Sequence, residues 1–117
     1  MIFASDAEAL SCCRKWQEIL RLQDWDVKVA VCRSRDFVVK EGQGECSWVL
    51  PAKRAVIKLL DPVDYPEVRW EQDHERTLVH ELLHLHMVPF KPDSDTLEND
   101  MMEQAICAIS EALIRGG

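Results

Sequence analysis

The stretch that decides the fold is Leu78-Val79-His80-Glu81-Leu82-Leu83-His84-Leu85-His86-Met87, residues 78–87 of a 117-residue chain. Its apolar residues have the spacing of a helix that is buried over much of its surface. At about 100° per residue, His80 and His84 are only about 40° apart around such a helix, and Glu81 follows the first of them. We therefore predict a core helix that brings two imidazoles and a carboxylate together.

Two histidines four positions apart on one helix can bind a single metal ion. Zinc accepts neutral imidazole nitrogens in a tetrahedral shell, and a catalytic zinc site keeps one position for water. A glutamate beside that position can take a proton from the water as it attacks a carbonyl. The motif predicts a Zn²⁺ site with His80 and His84 as ligands and Glu81 as general base. The alternative is a core helix whose histidines only form hydrogen bonds.

The segments around this helix predict an α+β fold in a single domain, residues 1–117. The motif helix is expected from about Glu67 to Met87, where Pro89 stops it. A first helix over about 6–22 begins at a capping box of Ser5 and Glu8, and a last helix begins at a capping box of Asp95 and Glu98 and ends at residues 116–117.

The sheet is expected to be small, three-stranded and mainly antiparallel. Alternating apolar residues from Trp25 to Val31 predict the first strand. The runs Cys46–Leu50 and Ala55–Leu60 are separated by a short turn and predict an antiparallel pair. The polar stretch 33–44 between them is expected to be a loop or an irregular hairpin arm.

A third protein ligand is expected from the last helix, where the candidates are Glu98, Asp100 and Glu103. An apolar arc on this helix comprises Met101, Met102, Ala105, Ile106 and Ile109. Glu98 lies within that arc and Glu103 at its margin, so amphipathicity alone favours Glu98 as the residue that faces the core.

The motif resembles that of the zincin metallopeptidases, and within them the gluzincins, whose third ligand is a glutamate about twenty residues after the second histidine. Glu103 lies nineteen residues after His84, and residues 103–113 resemble the ligand helix of ImmA-type peptidases. The order of elements is similar to that of minimal zincins such as the SprT-like group and short phage-encoded metallopeptidases. This resemblance implies Glu103 as third ligand and a peptide or protein substrate.

The chain departs from some zincin patterns. Cys107 stands where the ligand helix of thermolysin-like enzymes has an aspartate, and the third histidine of the metzincins is absent because residue 90 is Phe. Outside the motif, His74 is expected to be exposed on the helix, and His86 is expected to face away from the metal. A non-catalytic zinc-binding or interaction module on the same scaffold is the alternative function.

Charge and composition restrict the partners. The net charge is −7, and residues 61–103 carry twelve acidic side chains against three Lys or Arg. An acidic half that contains all four histidines favours a cation, so no specific nucleic-acid binding is expected. The chain shows no leader and no apolar run long enough to span a membrane, which predicts a cytoplasmic protein. Its five cysteines lack the spacing of a disulfide framework or a cysteine zinc site.

Overall fold

The described part of the chain folds into three α-helices and one three-stranded sheet, which confirms the predicted α+β class. The computed structural model describes residues 1–38 and 42–116. In chain order the elements are α1 (Asp6–Ile19), β1 (Asp26–Cys32), β2 (Gly44–Val49), β3 (Arg54–Leu60), α2 (His74–Met87) and α3 (Leu97–Gly116). Residues 39–41 of the predicted loop and the predicted helix end at Gly117 lie outside the described residues.

The sheet has the strand order β1-β3-β2 and is mixed rather than mainly antiparallel. The predicted β2–β3 pair is antiparallel, with Cys46 opposite Ile57, whereas β1 runs parallel to β3, with Val29 opposite Ile57. The reason is that β1 does not pair with β2, its neighbour in sequence. It lies on the other side of β3, and alternating strand patterns do not reveal which strands become neighbours.

Two helices pack against the sheet, and the third packs against one of them. α1 packs on β1 and α2 on β2 and β3, while α3 packs against α2. Between α1, α2 and the sheet lies a core that includes Cys13, Trp16, Val27, Ile57, Leu59, Leu78, Val79 and Leu82. α2 therefore has one side on the sheet and another toward α3. No helix in the described ranges combines the length and the apolar content needed to cross a bilayer.

α2 begins at His74, seven residues later than the predicted start near Glu67. Asp73 is its N-cap, and Oδ1 of Asp73 accepts hydrogen bonds from the backbone N–H groups of Glu75 and Arg76. The preceding segment is not helical, and within it the Tyr65 hydroxyl donates to the carbonyl of Trp70 at 2.7 Å. The apolar pattern before residue 73 therefore does not form a helix, and α2 begins only after the N-cap Asp73.

His74 is buried, and the prediction that it is exposed was wrong. Its side chain is only 1% exposed, and its Nδ1 accepts a hydrogen bond from the N–H of Phe3 at 3.0 Å. Its Nε2 lies 2.8 Å from the carbonyl oxygen of Leu60 and donates to it. His74 thus joins the N-terminal segment, β3 and α2. His86 faces away from the motif histidines as predicted, with Nε2 2.6 Å from the carbonyl of Leu20.

The predicted N-cap of α1 is confirmed, whereas the N-cap of α3 is a different residue from the predicted one. Ser5 caps α1 through a hydrogen bond from the N–H of Glu8 to its hydroxyl, 3.1 Å long. At α3 the capping side chain is Thr96 rather than Asp95, since the Thr96 hydroxyl accepts from the N–H of Asn99 at 3.2 Å. Asp95 instead adopts a positive φ of 65°, which an aspartate tolerates in a turn.

Candidate metal centre

His80 and His84 point from α2 toward α3, where a carboxylate from α3 contacts both. Oε2 of Glu103 lies 3.2 Å from Nε2 of His80, and Oε1 lies 3.1 Å from Nε2 of His84. All three side chains are half-buried, at the line where the two helices pack. The three residues predicted as metal ligands therefore lie close together, although Glu103 is nineteen residues after His84 in the sequence.

The convergent atoms are of a kind that could hold a metal ion such as zinc. Burial lowers the pKa of both His80 and His84, although the charge of Glu103 opposes this shift, so both imidazoles are neutral near pH 7. Neutral nitrogens and a carboxylate are the donors that zinc takes. With metal–ligand distances of about 2.1 Å, tetrahedral ligands lie about 3.4 Å apart. The observed separations are close to that value.

Glu81 lies beside the same atoms but deeper in the protein. It is only 8% exposed, and its carboxylate belongs with His80 and His84 to a group of possible ligand atoms within 4.8 Å of one another. Burial, and then the charges of Glu103 and Glu45, raise its pKa to about 8. Glu103 is not part of that group, although each of its two oxygens contacts one of the histidines. We favour Glu103 as ligand because it contacts both Nε2 atoms directly, which leaves Glu81 free to exchange a proton.

Among residues 1–38 and 42–116, neither alternative ligand on α3 forms an ion pair with a histidine. Glu98 and Asp100 are both exposed in the first turn of the helix. The amphipathicity argument that favoured Glu98 was wrong about which apolar residues face the core. α3 buries Met102, Ile106 and Ser110 and leaves Met101 and Ile109 exposed, which turns Glu103 toward α2.

Cys107 contacts the outer nitrogen of His80, a contact that sequence analysis did not predict. Its Sγ lies 3.7 Å from Nδ1 of His80. If Nε2 of His80 binds a metal, its Nδ1 carries the proton and donates to this sulfur. Burial and the charge of Glu103 raise the pKa of the thiol, so the sulfur is neutral and a weak acceptor. The signal in the sequence was its place four residues after Glu103.

We expect Cys107→Ala to weaken zinc binding about tenfold or more, because a lost partner of a metal-binding histidine commonly costs 10–100-fold in affinity. Cys107→Asp should bind zinc at least as tightly as the wild type, since a carboxylate is the stronger acceptor for Nδ1–H. Zinc titration in competition with a chromophoric chelator measures both. Equal affinities in all three proteins would show that the sulfur does not support His80.

Gly44, the first residue of β2, lies directly against α2. A β-carbon at this position would overlap Cγ2 of Thr77 and lie 3.4 Å from Oε2 of Glu81. Only a residue without a side chain allows the strand to approach the motif helix this closely. Gly44 therefore sets the distance between Glu81 and the β2 strand.

Gly44→Ala is expected to lower the free energy of unfolding by about 1–3 kcal/mol, the usual cost of overpacking a close contact. Thr77→Ser in the same chain should restore most of the loss, because it removes Cγ2 and keeps the hydroxyl that donates to the carbonyl of Asp73 at 3.1 Å. Urea denaturation of the single and double variants measures this. A double variant no more stable than Gly44→Ala would rule out the proposed clash.

A cleft of about 370 Å³ opens next to these residues, between β2, α2 and α3. His80, Glu81 and Cys107 are among the residues that line it. Glu111, which also lines the cleft, accepts from Nη1 of Arg76 at 3.3 Å and pairs with Nη2 of Arg115 at 3.2 Å. His80 and Glu81 thus face a cleft of a size that admits a side chain.

Comparisons of the chain with family models, curated proteins and solved structures gave no match. The zincin resemblance therefore depends on the sequence alone, and chiefly on the five-residue motif from His80 to His84.

Proposed function

We propose that this protein is a zinc-dependent metallopeptidase that uses His80, His84 and Glu103 to hold the metal. The observation that carries the proposal is the position of the Glu103 carboxylate, 3.1–3.2 Å from the Nε2 atoms of both motif histidines. Among residues 1–38 and 42–116, Glu103 has no ion pair with a lysine or an arginine. A cation shared with the two histidines gives this half-buried carboxylate a partner.

The residues around this set fit peptide hydrolysis. Bound zinc supplies Lewis-acid chemistry, since it acidifies a water molecule and polarises a carbonyl. Glu81 accepts the proton of the attacking water and returns it to the amine that leaves when the C–N bond breaks. Without metal, burial raises the pKa of Glu81 to about 8, and the positive charge of a bound zinc ion would lower that pKa so that the carboxylate can accept a proton at neutral pH. Cys107 orients the ring of His80 from the outside.

The substrate is proposed to bind as an extended strand along β2. β2 is an edge strand, and its first residue, Gly44, lies against the motif helix beside Glu81. An extended peptide can add to such an edge by main-chain hydrogen bonds, which fix its position with little dependence on sequence. A peptide placed there passes the candidate metal centre and can place a side chain in the cleft.

The direct test is cleavage of a mixture of unstructured peptides, followed by mass spectrometry. We expect cleavage by the zinc-loaded protein, loss of cleavage with a chelator, and recovery after one equivalent of zinc per chain. Zinc-loaded protein that binds metal but cleaves none of the peptides would favour the non-catalytic zinc module instead.

A further inference from the structure

α3 has an apolar surface that the described fold leaves uncovered. Leu97, Met101 and Ile109 are 70%, 60% and 48% exposed. Three alanines on the same side are also exposed: Ala105, Ala108 and Ala112. At about 100° per residue these six residues fall within an arc of about 120° and extend along the helix for four turns. We call this set the outer stripe of α3.

The outer stripe is separate from the two surfaces of α3 that already have partners. Met102, Ile106 and Ser110 are buried on a second side of the helix. Glu103, Cys107 and Glu111 form a third, polar side that faces the metal centre and the cleft. A helix that is apolar on two sides is normally covered on both. α1 shows the contrast, because its exposed side carries charged residues such as Glu8, Arg14, Lys15 and Glu18.

The composition of the stripe suits close packing against another helix. Its central part consists of Ala105, Ala108 and Ala112, whose small side chains let two helix backbones approach. The larger residues Leu97 and Met101 precede this part, and Ile109 lies within it. In an antiparallel pair of identical helices, Met101 of one copy faces the region of Ala112 in the other. The two-fold axis repeats this contact, so that each Met101 packs beside an Ala112 of the other copy.

The charges at the two ends of the stripe are complementary in the same arrangement. The first turn of α3 carries Glu98 and Asp100, and the last turn carries Arg115, which pairs with Glu111 but keeps a side chain that is 79% exposed. Between them the stripe itself contains no charged residue. An antiparallel pair places the acidic end of each helix on the basic end of its partner and also opposes the two helix dipoles. A parallel pair would place like charges together.

We propose that two copies of this chain form a symmetric dimer through antiparallel packing of their α3 outer stripes. The dimer leaves the polar side of α3, and with it the cleft, open to solvent. The proposal does not depend on the zinc chemistry, because it uses none of the residues assigned to the metal centre.

The test is the mass of the protein in solution, measured by sedimentation equilibrium across chain concentrations up to about 1 mM, the weak end of specific association. We expect the wild type to reach twice the 13.5 kDa of one chain. Ala108→Glu should remain a monomer, with unchanged circular dichroism and zinc content, because residue 108 is exposed. Val63→Glu, a substitution at an exposed valine outside α3, should still dimerise.

Charge reversal distinguishes the antiparallel arrangement from other contacts. Asp100→Arg with Glu98→Arg should weaken dimerisation at least tenfold, and so should Arg115→Glu alone. A chain carrying all three changes should regain most of the wild-type affinity, because the complementary ends are exchanged. A monomeric wild type, a dimer that persists in Ala108→Glu, or the absence of rescue in the triple variant would overturn the proposal.

Discussion

Replacing Glu81 by Gln is expected to lower the rate of peptide hydrolysis by about 10²–10⁴-fold while zinc stays bound. Glutamine keeps the size of the side chain but cannot accept a proton from water. Because His80, His84 and Glu103 are unchanged, the metal content should match that of the wild type. The rate is measured on whichever peptide the wild type cleaves fastest, with zinc quantified in the same samples.

Glu45 provides a matched control for this experiment. It is a second glutamate whose charge acts on Glu81, but it pairs with Lys58 at 3.7 Å and accepts from the N–H of Val38. Glu45→Gln should change the rate by far less than Glu81→Gln. A Glu81→Gln protein with full activity and bound zinc would exclude Glu81 as the base. A protein without zinc would mean that Glu81 is itself a ligand.

Removal of zinc is expected to lower the free energy of unfolding by about 4 kcal/mol when free zinc had been kept at about 1,000 times its Kd. For a chain of this length that corresponds to a fall in Tm of about 15 °C. The reason is that His80, His84 and Glu103 come from two helices that the metal would join, and the unfolded chain does not hold them together. Thermal unfolding with and without chelator measures the shift.

Two histidine variants show whether the shift comes from the proposed centre. His84→Ala removes a predicted ligand, so the chelator should leave its Tm nearly unchanged. His86→Ala removes an exposed histidine from the same helix, two residues away, and should keep the wild-type shift. Equal shifts in the two variants would place the stabilising metal elsewhere in the chain.

Local sequence patterns were sufficient for the elements and for most of the candidate site. The i, i+4 spacing of His80 and His84 determines where their side chains point, because it depends only on helix geometry. The N-cap at Ser5 and the strand β1 were also predicted correctly, because each depends on residues close together in the sequence. Glu103 was favoured by resemblance and not by amphipathicity.

What the patterns did not predict depends on contacts between distant parts of the chain. The burial of His74 requires Phe3 and Leu60, and the parallel placement of β1 beside β3 requires a strand order that no local period encodes. The error over Glu98 has the same origin. α3 is apolar on two sides, and its sequence alone does not show which side packs on α2.

The central claim is that His80, His84 and Glu103 bind one zinc ion, and elemental analysis of the purified protein tests it most directly. Wild type, Glu103→Ala and Glu98→Ala are dialysed against the same zinc buffer and compared. We predict about one zinc per chain in the wild type and in Glu98→Ala, and a large loss in Glu103→Ala. A folded wild type that takes up no zinc would contradict the claim and reduce the motif to a pair of structural histidines.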